Sequence, residues 1–527
     1  MFEVVQVSPR LHHFFCVTLP TGGPSDRPMC PRELMQRSVD SRLWPVLLTV
    51  FLLSCTSLPT PASSPGDSSA GTAEESVNTR TRPVKSPALS PFMEDLEERT
   101  FRFFWETTNA QNGLVPDRYP TPSFSSVAAV GFGLTAYGIG AERGYITREQ
   151  AAERVLTTLR FFRDARQGPE ASGITGYKGF FYHFLDMKNG KRFEKVELST
   201  IDTTLFLGGA LFCQSYFDRD NAVEKEIRDA VETIYRRVEW DWAVKDAPLV
   251  SMGYTPEEGL GSWHWRGYDE AMILYVLALG SPTHAIDPSA WEKWTSTYKW
   301  MTFYGYEHVN FAPLFGHQYS HGWIDFRGIQ DPYMKTKGID YFENARRATL
   351  SQRAYAIDNP SKWDGWSENI WGLTACDGPI DAELEFKGTK RKFFTYAARG
   401  AAASEIRDDG TISPTAAGGS IPFAPEVTIA ALEEMHRQYG SILYAQYGFL
   451  DSFNPSFRFS MPLKHGRVDP KMGWVDGDYL GIDQGPILIG IENYRTGMVW
   501  NTMRKNPHIV RGLKRAGFTG GWLEQVK

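Results

Sequence analysis

The sequence contains few cysteines, and neither sign of charge dominates it. Its 527 residues include five cysteines, which form no CxxC pair and show no metal-ligand spacing, so neither a disulfide framework nor a cysteine-bound metal is expected. The formal net charge of −6 argues against binding to nucleic acid, which requires a basic patch or stripe. The sequence also lacks a GxSxG elbow, a Walker A lysine loop and a strand-linked GxGxxG, so these common catalytic and nucleotide sites are not predicted.

Long hydrophobic runs are missing as well. The apolar run at residues 43–55 follows Arg37 and Arg42 and is too short to span a bilayer, which is typical of a bacterial secretory signal. Its end, Leu52-Leu-Ser-Cys55, resembles the lipobox at which bacterial lipoproteins are cleaved, so Cys55 is the predicted lipidation site. The alternative is an ordinary cleaved signal with an incidental cysteine. We expect the true start of the protein to lie nearer Met35.

The composition changes sharply after the apolar run. Residues 56–89 are mainly Ser, Thr, Pro, Ala and Gly, which bury too little apolar surface to fold and predict a flexible tether. Ser90 can cap a helix that begins at Pro91. The predicted organisation is an N-terminal extension with a lipoprotein signal (1–55), a disordered linker (56–89) and one folded domain (90–527).

Aromatic residues and helical periodicity are abundant. Sixteen tryptophans are more than packing readily explains, and sugars are natural partners for exposed aromatic faces. Helical patterns recur, whereas a strand pattern is found in few places, such as residues 179–184. We therefore predict an all-α domain, a toroid of helical hairpins with long loops and the functional site at one end. The predicted helices include 124–142, 199–217, 222–238, 268–279, 288–303, 344–357, 425–439, 481–500 and 506–512, and Thr147 to Gln150 forms a capping box for another helix.

The stretch at residues 259–270 is the first candidate site. It is a glycine-rich loop that contains Trp263, Trp265 and Arg266 and delivers Asp269 and Glu270 to the predicted first turn of an apolar helix. A carboxyl group held against aromatic surface can have its pKa raised enough to donate a proton at neutral pH. Glu270 is the candidate for that role. The alternative is that both acids merely stabilise a helix N-terminus.

Further loops combine acids with aromatic residues. Glu197 and Asp202 open a predicted helix, where capping is an alternative role for Asp202. His317 and His321 lie four residues apart in a loop, where binding of sugar hydroxyl groups is favoured over a metal site because no HExxH pattern or third ligand accompanies them. Other candidates are Trp366, Asp377, Asp451, Asp478 and Asp483.

The acids and aromatic residues fit one reaction class. Glycoside cleavage needs a protonated acid for the leaving oxygen and an ionised carboxylate that activates water or attacks carbon. Calcium stays a minor alternative at Asp476 and Asp478, whose spacing departs from an EF-hand loop. We predict no metal and no cofactor.

Four segments carry a resemblance to a known family. These are Trp263-His-Trp-Arg-Gly-Tyr-Asp-Glu-Ala271, Gly372-Leu-Thr-Ala-Cys-Asp-Gly-Pro379, Tyr447-Gly-Phe-Leu-Asp-Ser-Phe-Asn454, and Tyr479-Leu-Gly-Ile-Asp-Gln-Gly-Pro486 with the following Ile491-Glu-Asn-Tyr-Arg495. Together they resemble the bacterial glycoamylase-like family, which includes endo-β-1,2-glucanases and is similar to a domain of cyclic β-1,2-glucan synthases. The resemblance covers residues 91–525 and implies an (α/α)6 barrel that acts on glucans and is often lipid-anchored.

The resemblance also implies roles for individual residues. The family's Tyr-Asn/Asp-Glu motif falls on residues 268–270 and marks Glu270 as the general acid. The aspartate of a Gly-Phe-x-Asp-x-Phe segment falls on Asp451, the implied base. Where endo-glucanases of the family carry Val-Val-Glu, this chain has Thr200-Ile-Asp202. This departure leaves linkage, endo or exo action and stereochemical outcome open.

We therefore predict a glycoside hydrolase, with β-1,2-glucan as the expected substrate and a monomer tethered by lipid to the outer membrane. The alternatives are a transglycosylase, a non-catalytic glycan-binding lipoprotein and a polysaccharide lyase. Glu270 and Asp451 are the predicted catalytic residues. The predicted substrate-binding residues are Glu197, Asp202, Trp263, Trp265, Arg266, Asp269, His317, His321, Trp366, Asp377, Asp478 and Asp483.

Overall fold

Alpha-helices make up most of the regular structure. A computed structural model describes residues 88–244 and 248–526, so the predicted signal, Cys55 and nearly all of the predicted tether lie outside the described residues. The α-helices are α1 (Pro91–Thr107), α2 (Val127–Arg143), α3 (Arg148–Asp164), α4 (Thr200–Tyr216), α5 (Ala222–Arg236), α6 (Met272–Gly280), α7 (Ser289–Thr295), α8 (Tyr319–Trp323), α9 (Pro332–Lys337), α10 (Tyr341–Asp358), α11 (Pro414–Gly418), α12 (Pro425–Leu443), α13 (Gly481–Arg495), α14 (Met498–Met503) and α15 (Pro507–Arg515). Two 3-10 turns span Leu314–His317 and Gly521–Glu524.

Short antiparallel strands occupy the segments between helices. They are β1 (Arg118–Tyr119), β2 (Ser125–Ser126), β3 (Gly176–Tyr177), β4 (Phe180–Tyr182), β5 (Phe184–Leu185), β6 (Leu198–Ser199), β7 (Gly253–Thr255), β8 (Gly259–Leu260), β9 (Trp300–Phe303), β10 (Tyr306–Val309), β11 (Ala375–Cys376), β12 (Ala382–Phe386), β13 (Thr389–Phe393), β14 (Ala397–Ala398), β15 (Gly400–Ala402), β16 (Glu405–Arg407), β17 (Tyr444–Ala445), β18 (Gly448–Phe449), β19 (Phe453–Asn454), β20 (Arg467–Asp469), β21 (Gly473–Val475) and β22 (Tyr479–Leu480). The largest sheet has the order β3-β4-β6-β7-β8, and another has the order β19-β21-β20.

The predicted all-α class therefore holds only as a mainly helical fold. Most of the strands are two or three residues long, which is too short to produce the alternating pattern by which a strand is recognised in a sequence. Among the described residues, the helices are too short or too polar to serve as membrane spans.

Local capping signals correctly predicted several helix starts. The Ser90 side chain accepts a hydrogen bond from the Met93 amide, Thr147 and Gln150 form the predicted capping box, and Ser199 caps α4. These side chains satisfy backbone N–H groups that the first turn of a helix leaves unpaired. Such interactions depend only on neighbouring residues, so sequence reading finds them.

Three predicted helices are corrected by the structure. Helix α6 begins at Met272 rather than Tyr268, because Asp269 Oδ1 accepts from the Ala271 amide at 2.9 Å and holds these residues in a turn. Residues 300–303 form β9 instead of continuing α7, because Tyr304 and Gly305, both with positive φ, close a hairpin with β10. The helix predicted over 481–500 breaks at Gly497, whose φ is 66°.

Helices α2, α4 and α13 form the part of the core that positions the site. Helix α2 packs against both α4 and α13, and backbones approach closely where it meets α4. A Cβ added at Gly209 would lie 1.9 Å from the Gly131 carbonyl oxygen. Strands β2, β6 and β22 run directly into the N-termini of these three helices.

Candidate active site

The first turns of α4 and α13 supply two acids, Asp202 and Asp483. Glu270, in the turn before α6, and Asp451, between β18 and β19, supply two more. All four influence Tyr319, whose pKa is raised well above its usual value, first by burial and then by the charges of these acids. The four carboxyl groups therefore lie near enough to one buried tyrosine to act on its pKa, and two of them, Asp202 and Glu270, line a cavity with it.

Glu270 has the environment of a proton donor. Its side chain is buried and lines a small cavity together with Asp202 and Tyr319. Burial raises the pKa of Glu270 to about 7, and the negative charge of Asp202 adds to the rise against a backbone hydrogen bond that lowers it. A carboxyl group with this pKa is partly protonated at neutral pH, as general acid catalysis requires.

A larger cavity is also lined by Asp202. Its volume is about 470 Å³, and Glu197, Asp202, Trp263 and Trp265 line it. The Trp263 side chain is 51% exposed, whereas Trp265 is buried and donates from Nε1 to Thr200 Oγ1 at 3.0 Å. An open indole beside carboxylates suits the apolar face and the hydroxyl groups of a sugar ring.

His183 connects two of these acids. Its Nδ1 lies 2.7 Å from Glu197 Oε1, and its Nε2 lies 3.5 Å from Asp202 Oδ1. Burial alone would lower the pKa of His183, but the charges of Asp202 and Glu197 outweigh burial and raise it to about 9. Ser199 Oγ donates to the other oxygen of Asp202, so the Asp202 carboxylate is held on two sides.

Asp451 belongs to a second cluster of acids. Its Oδ2 accepts from the Asp377 amide at 2.7 Å. Burial, followed by the neighbouring Asp483 and Asp377, raises the pKa of Asp451 well above its usual value. Burial likewise raises the pKa of Asp483 to about 8, although a hydrogen bond with Asp451 opposes the rise. Both directions are those expected of neighbouring buried carboxyl groups, which resist being ionised together.

Arg118 provides positive charge to the second cluster. Its Nη1 donates to Asp377 Oδ2 at 2.6 Å and lies 3.9 Å from Asp478 Oδ2. Asp478 Oδ1 also accepts from the Thr121 amide at 2.8 Å, which ties the segment after β1 to the cluster. Burial lowers the pKa of Arg118, but Asp377 and Asp117 outweigh it and raise the pKa above its usual value.

Among the described residues, Asp377, His465 and Asp476 form a group that could hold a metal ion. Their ligand atoms lie within 4.8 Å of one another, and Asp377 Oδ1 and Asp476 Oδ2 are buried without a hydrogen-bond partner. However, Arg118 Nη1 lies 3.3 Å from His465 Nδ1, so a guanidinium already balances charge here.

The structure does not bring every predicted binding residue to the cavities lined by Glu270 or Trp263. His317 and His321 are buried, and burial lowers the pKa of each to about 3. His317 packs on Tyr268, and His321 packs on aromatic residues that include Phe326. Both are buried in regular structure and not in the predicted loop, because His317 ends a 3-10 turn and His321 lies in α8.

Three other predicted binding residues have structural or peripheral positions. Trp366 is nearly buried and donates to the Gly410 carbonyl at 3.3 Å. Asp269 holds the turn before α6, and Arg266 is exposed. None of the three lines the cavities around Glu270 and Trp263, and the acids of the second cluster line neither cavity: Asp377, Asp451, Asp478 and Asp483.

The sequence analysis missed His183, Arg118 and Tyr319. His183 falls in the stretch interpreted only as a strand, and Tyr319 lies between the two histidines that were singled out instead. Arg118 follows Asp117, and this acid–base pair could have drawn attention to it. No local pattern distinguishes these residues, since their partners are distant in the chain.

Comparison with known proteins identifies the family. A family profile described as "Putative glucoamylase" matches residues 262–507. A solved structure from Bacteroides uniformis, also described as a "putative glucoamylase", is 31% identical, covers 83% of this chain and 99% of its own, and has a TM-score of 0.69. The chain belongs to the glycoamylase-like family.

Two further members of the glycoamylase-like family have more specific names. The endo-β-1,2-glucanase from Chitinophaga pinensis, solved with sophorotriose and glucose, is 27% identical over 82% of this chain and 100% of its own, with a TM-score of 0.69. An exo β-1,2-glucooligosaccharide sophorohydrolase from Parabacteroides distasonis is 28% identical over 84% of this chain. The chain spans 59% of the length of this curated relative.

Proposed function

We propose that the protein is a glycoside hydrolase that cleaves β-1,2-linked glucan within an (α/α)6 barrel. The observation that carries the proposal is Glu270, a buried carboxyl group whose pKa of about 7 suits a proton donor and which adjoins Asp202 at the edge of a tryptophan-lined cavity. The names of the Chitinophaga and Parabacteroides relatives support a β-1,2-glucan substrate.

In the proposed reaction, Glu270 protonates the glycosidic oxygen as the bond to the sugar breaks. Asp451 is the general base that accepts a proton from water, so it must be the ionised member of the pair that it forms with Asp483 when the reaction begins. A pair with one proton keeps one negative charge, which is what the base requires. Glu197, Asp202, Trp263 and Trp265 bind the sugar in the large cavity.

Asp377 and Asp478 belong to the sugar-binding part of the second cluster in this proposal. Asp377 keeps one buried oxygen without a donor, and a sugar hydroxyl group can supply the missing hydrogen bond. Arg118 offsets the negative charge of the cluster through Asp377 and Asp478. This arrangement supports recognition of a polar, uncharged substrate.

We also propose that the protein is exported and anchored to the outer membrane by lipid on Cys55, and that it acts as a monomer. The support for anchoring is the apolar run that ends in Leu52-Leu-Ser-Cys55, followed by a Ser/Thr/Pro-rich stretch that could act as a tether. A tethered hydrolase of this kind would meet glucan in the cell envelope.

The test is a substrate screen with protein that lacks residues 1–55. Glucans with β-1,2, β-1,3, β-1,4, β-1,6 and α linkages are compared by reducing-end assay and chromatography. We expect reducing ends to be released from the β-1,2 glucan and from none of the others. Longer products at high glucan concentration would indicate transglycosylation. Ultraviolet-absorbing products would indicate a lyase, and binding without products would indicate a non-catalytic glycan-binding protein.

The matched variants in this screen are Glu270→Gln and Glu97→Gln. Glu97 is also a buried glutamate with a raised pKa, about 8, but it contacts Arg495 between α1 and α13. We expect Glu270→Gln to lower kcat by about 100-fold or more, as loss of a general acid does, and Glu97→Gln to retain activity. Full activity in Glu270→Gln would remove Glu270 from the mechanism.

A further inference from the structure

His183 is a buried histidine near the site that has no role in the proposed reaction. His183 directly follows β4 and is buried. Its ring stacks on the ring of Phe184, with centroids 3.9 Å apart. The charged groups that act on His183 include three acids, Glu197 before β6, Asp202 in α4 and Asp117 before β1. Lys195 lines the same large cavity as His183 and Glu197.

The strand register explains how His183 reaches its partners. Strands β4 and β6 pair antiparallel with Tyr182 opposite Leu198, and the pairing continues as the His183 amide donates to the Glu197 carbonyl at 2.9 Å. Strand β6 then runs into α4, whose first turn carries Asp202. One ring is thereby placed between two carboxylates that are five residues apart in sequence.

The geometry favours a positive charge on His183. Each ring nitrogen faces a carboxylate oxygen, Nδ1 at 2.7 Å from Glu197 and Nε2 at 3.5 Å from Asp202. A neutral imidazole has one N–H donor and would present a lone pair to one of the two acids, whereas an imidazolium presents donors to both. The raised pKa of His183, about 9, agrees with this protonation state.

The charge on His183 bears on the proposed general acid through Asp202. Burial raises the pKa of Asp202, and the His183 imidazolium and the Ser199 hydroxyl oppose that rise. Asp202 in turn lines the small cavity with Glu270. Without the imidazolium, Asp202 would compete with Glu270 for the same proton.

We infer that His183 is a positioning residue whose imidazolium, held between Glu197 and Asp202, keeps the Asp202 carboxylate negatively charged and thereby keeps the catalytic proton on Glu270. This inference rests on the proposed function, because it assigns His183 a task in the protonation of the proposed acid. His183 itself need not touch the substrate.

The test compares His183→Gln and His183→Asn with wild type. The Gln amide can place a donor near the position of Nε2 and the Asn amide near that of Nδ1, and both changes remove the charge. The Asp202–Glu270 pair then loses a neighbouring cation, which makes the pair harder to ionise. We therefore expect the apparent pKa of the alkaline limb of the kcat/KM profile to shift upward by about one pH unit in both variants. We expect kcat to fall about tenfold, with a smaller change in KM, because the proton spends part of its time on Asp202.

The control is His508→Gln. His508 is another buried histidine that bonds a carboxylate, Glu232 Oε2 at 2.8 Å from its Nε2, and it belongs to α15 away from the acids of the site. We expect its pH profile to match wild type. If both His183 variants also keep the wild-type alkaline limb, or lose only thermal stability, the inference is overturned.

A second measurement keeps the inference testable if the variants do not fold or if wild type cleaves no glucan. Carbon-13 NMR of labelled histidine in wild-type protein reports the charge of the His183 ring without substrate. We expect the ring to stay protonated through pH 8 and to lose its proton at lower pH in Asp202→Asn. A ring that is neutral at pH 7 overturns the inference. Failure of the glucan screen alone overturns only the proposed function.

Discussion

At the level of single residues, the position of Asp202 shows whether this acid caps α4 or belongs to the site. The sequence left open whether this acid caps α4 or serves the site. Ser199 is the cap, since its Oγ accepts from the Asp202 amide at 3.1 Å. The Asp202 carboxylate is therefore free of that task and points to His183 and the small cavity with Glu270.

The first prediction concerns the pH dependence of the reaction. In the proposed reaction Glu270 must be protonated to act, so we expect kcat/KM of wild type to fall as the pH rises through about 7, the pKa of Glu270. Asp202→Asn removes the negative charge that raises this pKa, so its alkaline limb should move to lower pH by about one pH unit. Initial rates on β-1,2-glucan between pH 4 and 10 measure both limbs.

The opposite directions make this prediction specific. Removing the cation at His183 should move the alkaline limb upward, whereas removing the anion at Asp202 should move it downward. A steric disturbance of the site would lower the rate without such opposed shifts. An alkaline limb that is unchanged in Asp202→Asn would show that Asp202 does not influence the proton of Glu270.

At the level of secondary structure, glycine residues allow α2 and α4 to pack closely against each other. Each helix has a glycine where the backbone of the other helix passes. A Cβ added at Gly131 would lie 2.2 Å from the Leu205 carbonyl oxygen, and a Cβ added at Gly209 would lie 1.9 Å from the Gly131 carbonyl oxygen. Such distances leave no room for a methyl group. The start of α4, and with it Asp202, is positioned by this contact.

The second prediction tests that contact. We expect Gly209→Ala to lower the free energy of unfolding by about 1 to 3 kcal/mol or more, the cost of overpacking a core. The control is Gly322→Ala in α8, where an added Cβ would meet Ile489 at 3.6 Å, an ordinary contact distance. Thermal melts compare the two variants, and equal melting temperatures would show that α2 and α4 can separate without cost.

A buried pair of acids joins α1 to α13. Glu97 Oε2 contacts Arg495 Nη1 at 2.8 Å, and Glu492 Oε2 contacts Arg143 Nε at 3.2 Å. Burial, followed by the charge of Glu492, raises the pKa of Glu97 to about 8. The folded protein therefore holds a proton that the unfolded chain releases at lower pH.

The third prediction follows from this difference in proton binding. Between pH 5 and pH 8 the folded state binds more protons at Glu97 than the unfolded state does, so this group makes stability fall as the pH rises. Glu97→Gln mimics the protonated form and should flatten the fall in melting temperature over that range. The control is Glu94→Gln, which removes another partner of Arg495 and should keep the wild-type slope.

The proposed attachment to the membrane through Cys55 concerns the whole molecule. The fourth prediction is that wild type, expressed with its natural leader in a bacterial host, is found in the membrane fraction, whereas Cys55→Ser is not. A thiol is the site of lipidation in the proposal, and serine cannot replace it there. Detergent-phase partitioning with antibody detection measures the difference. Equal partitioning would leave Cys55 as an incidental residue next to an ordinary signal.

Particular residues show how far the sequence led toward the site. Glu270 and Asp451 were singled out by their motifs, and Trp263 and Trp265 by their density in one loop. His317 and His321 were grouped with them by the same reasoning but belong to the core. The types and spacing of residues do not by themselves show whether a segment is buried or exposed, because burial depends on what packs against that segment.

The mainly helical fold, several helix caps and the family can all be predicted from the sequence, because they depend on neighbouring residues or on whole motifs. Tertiary structure alone decided that His183 bridges Glu197 and Asp202, that Tyr319 lies among four acids and that Arg118 balances the second cluster. Charge–charge interactions act through space, so the pKa of each acid depends on which distant segments the fold brings within a few ångströms of it.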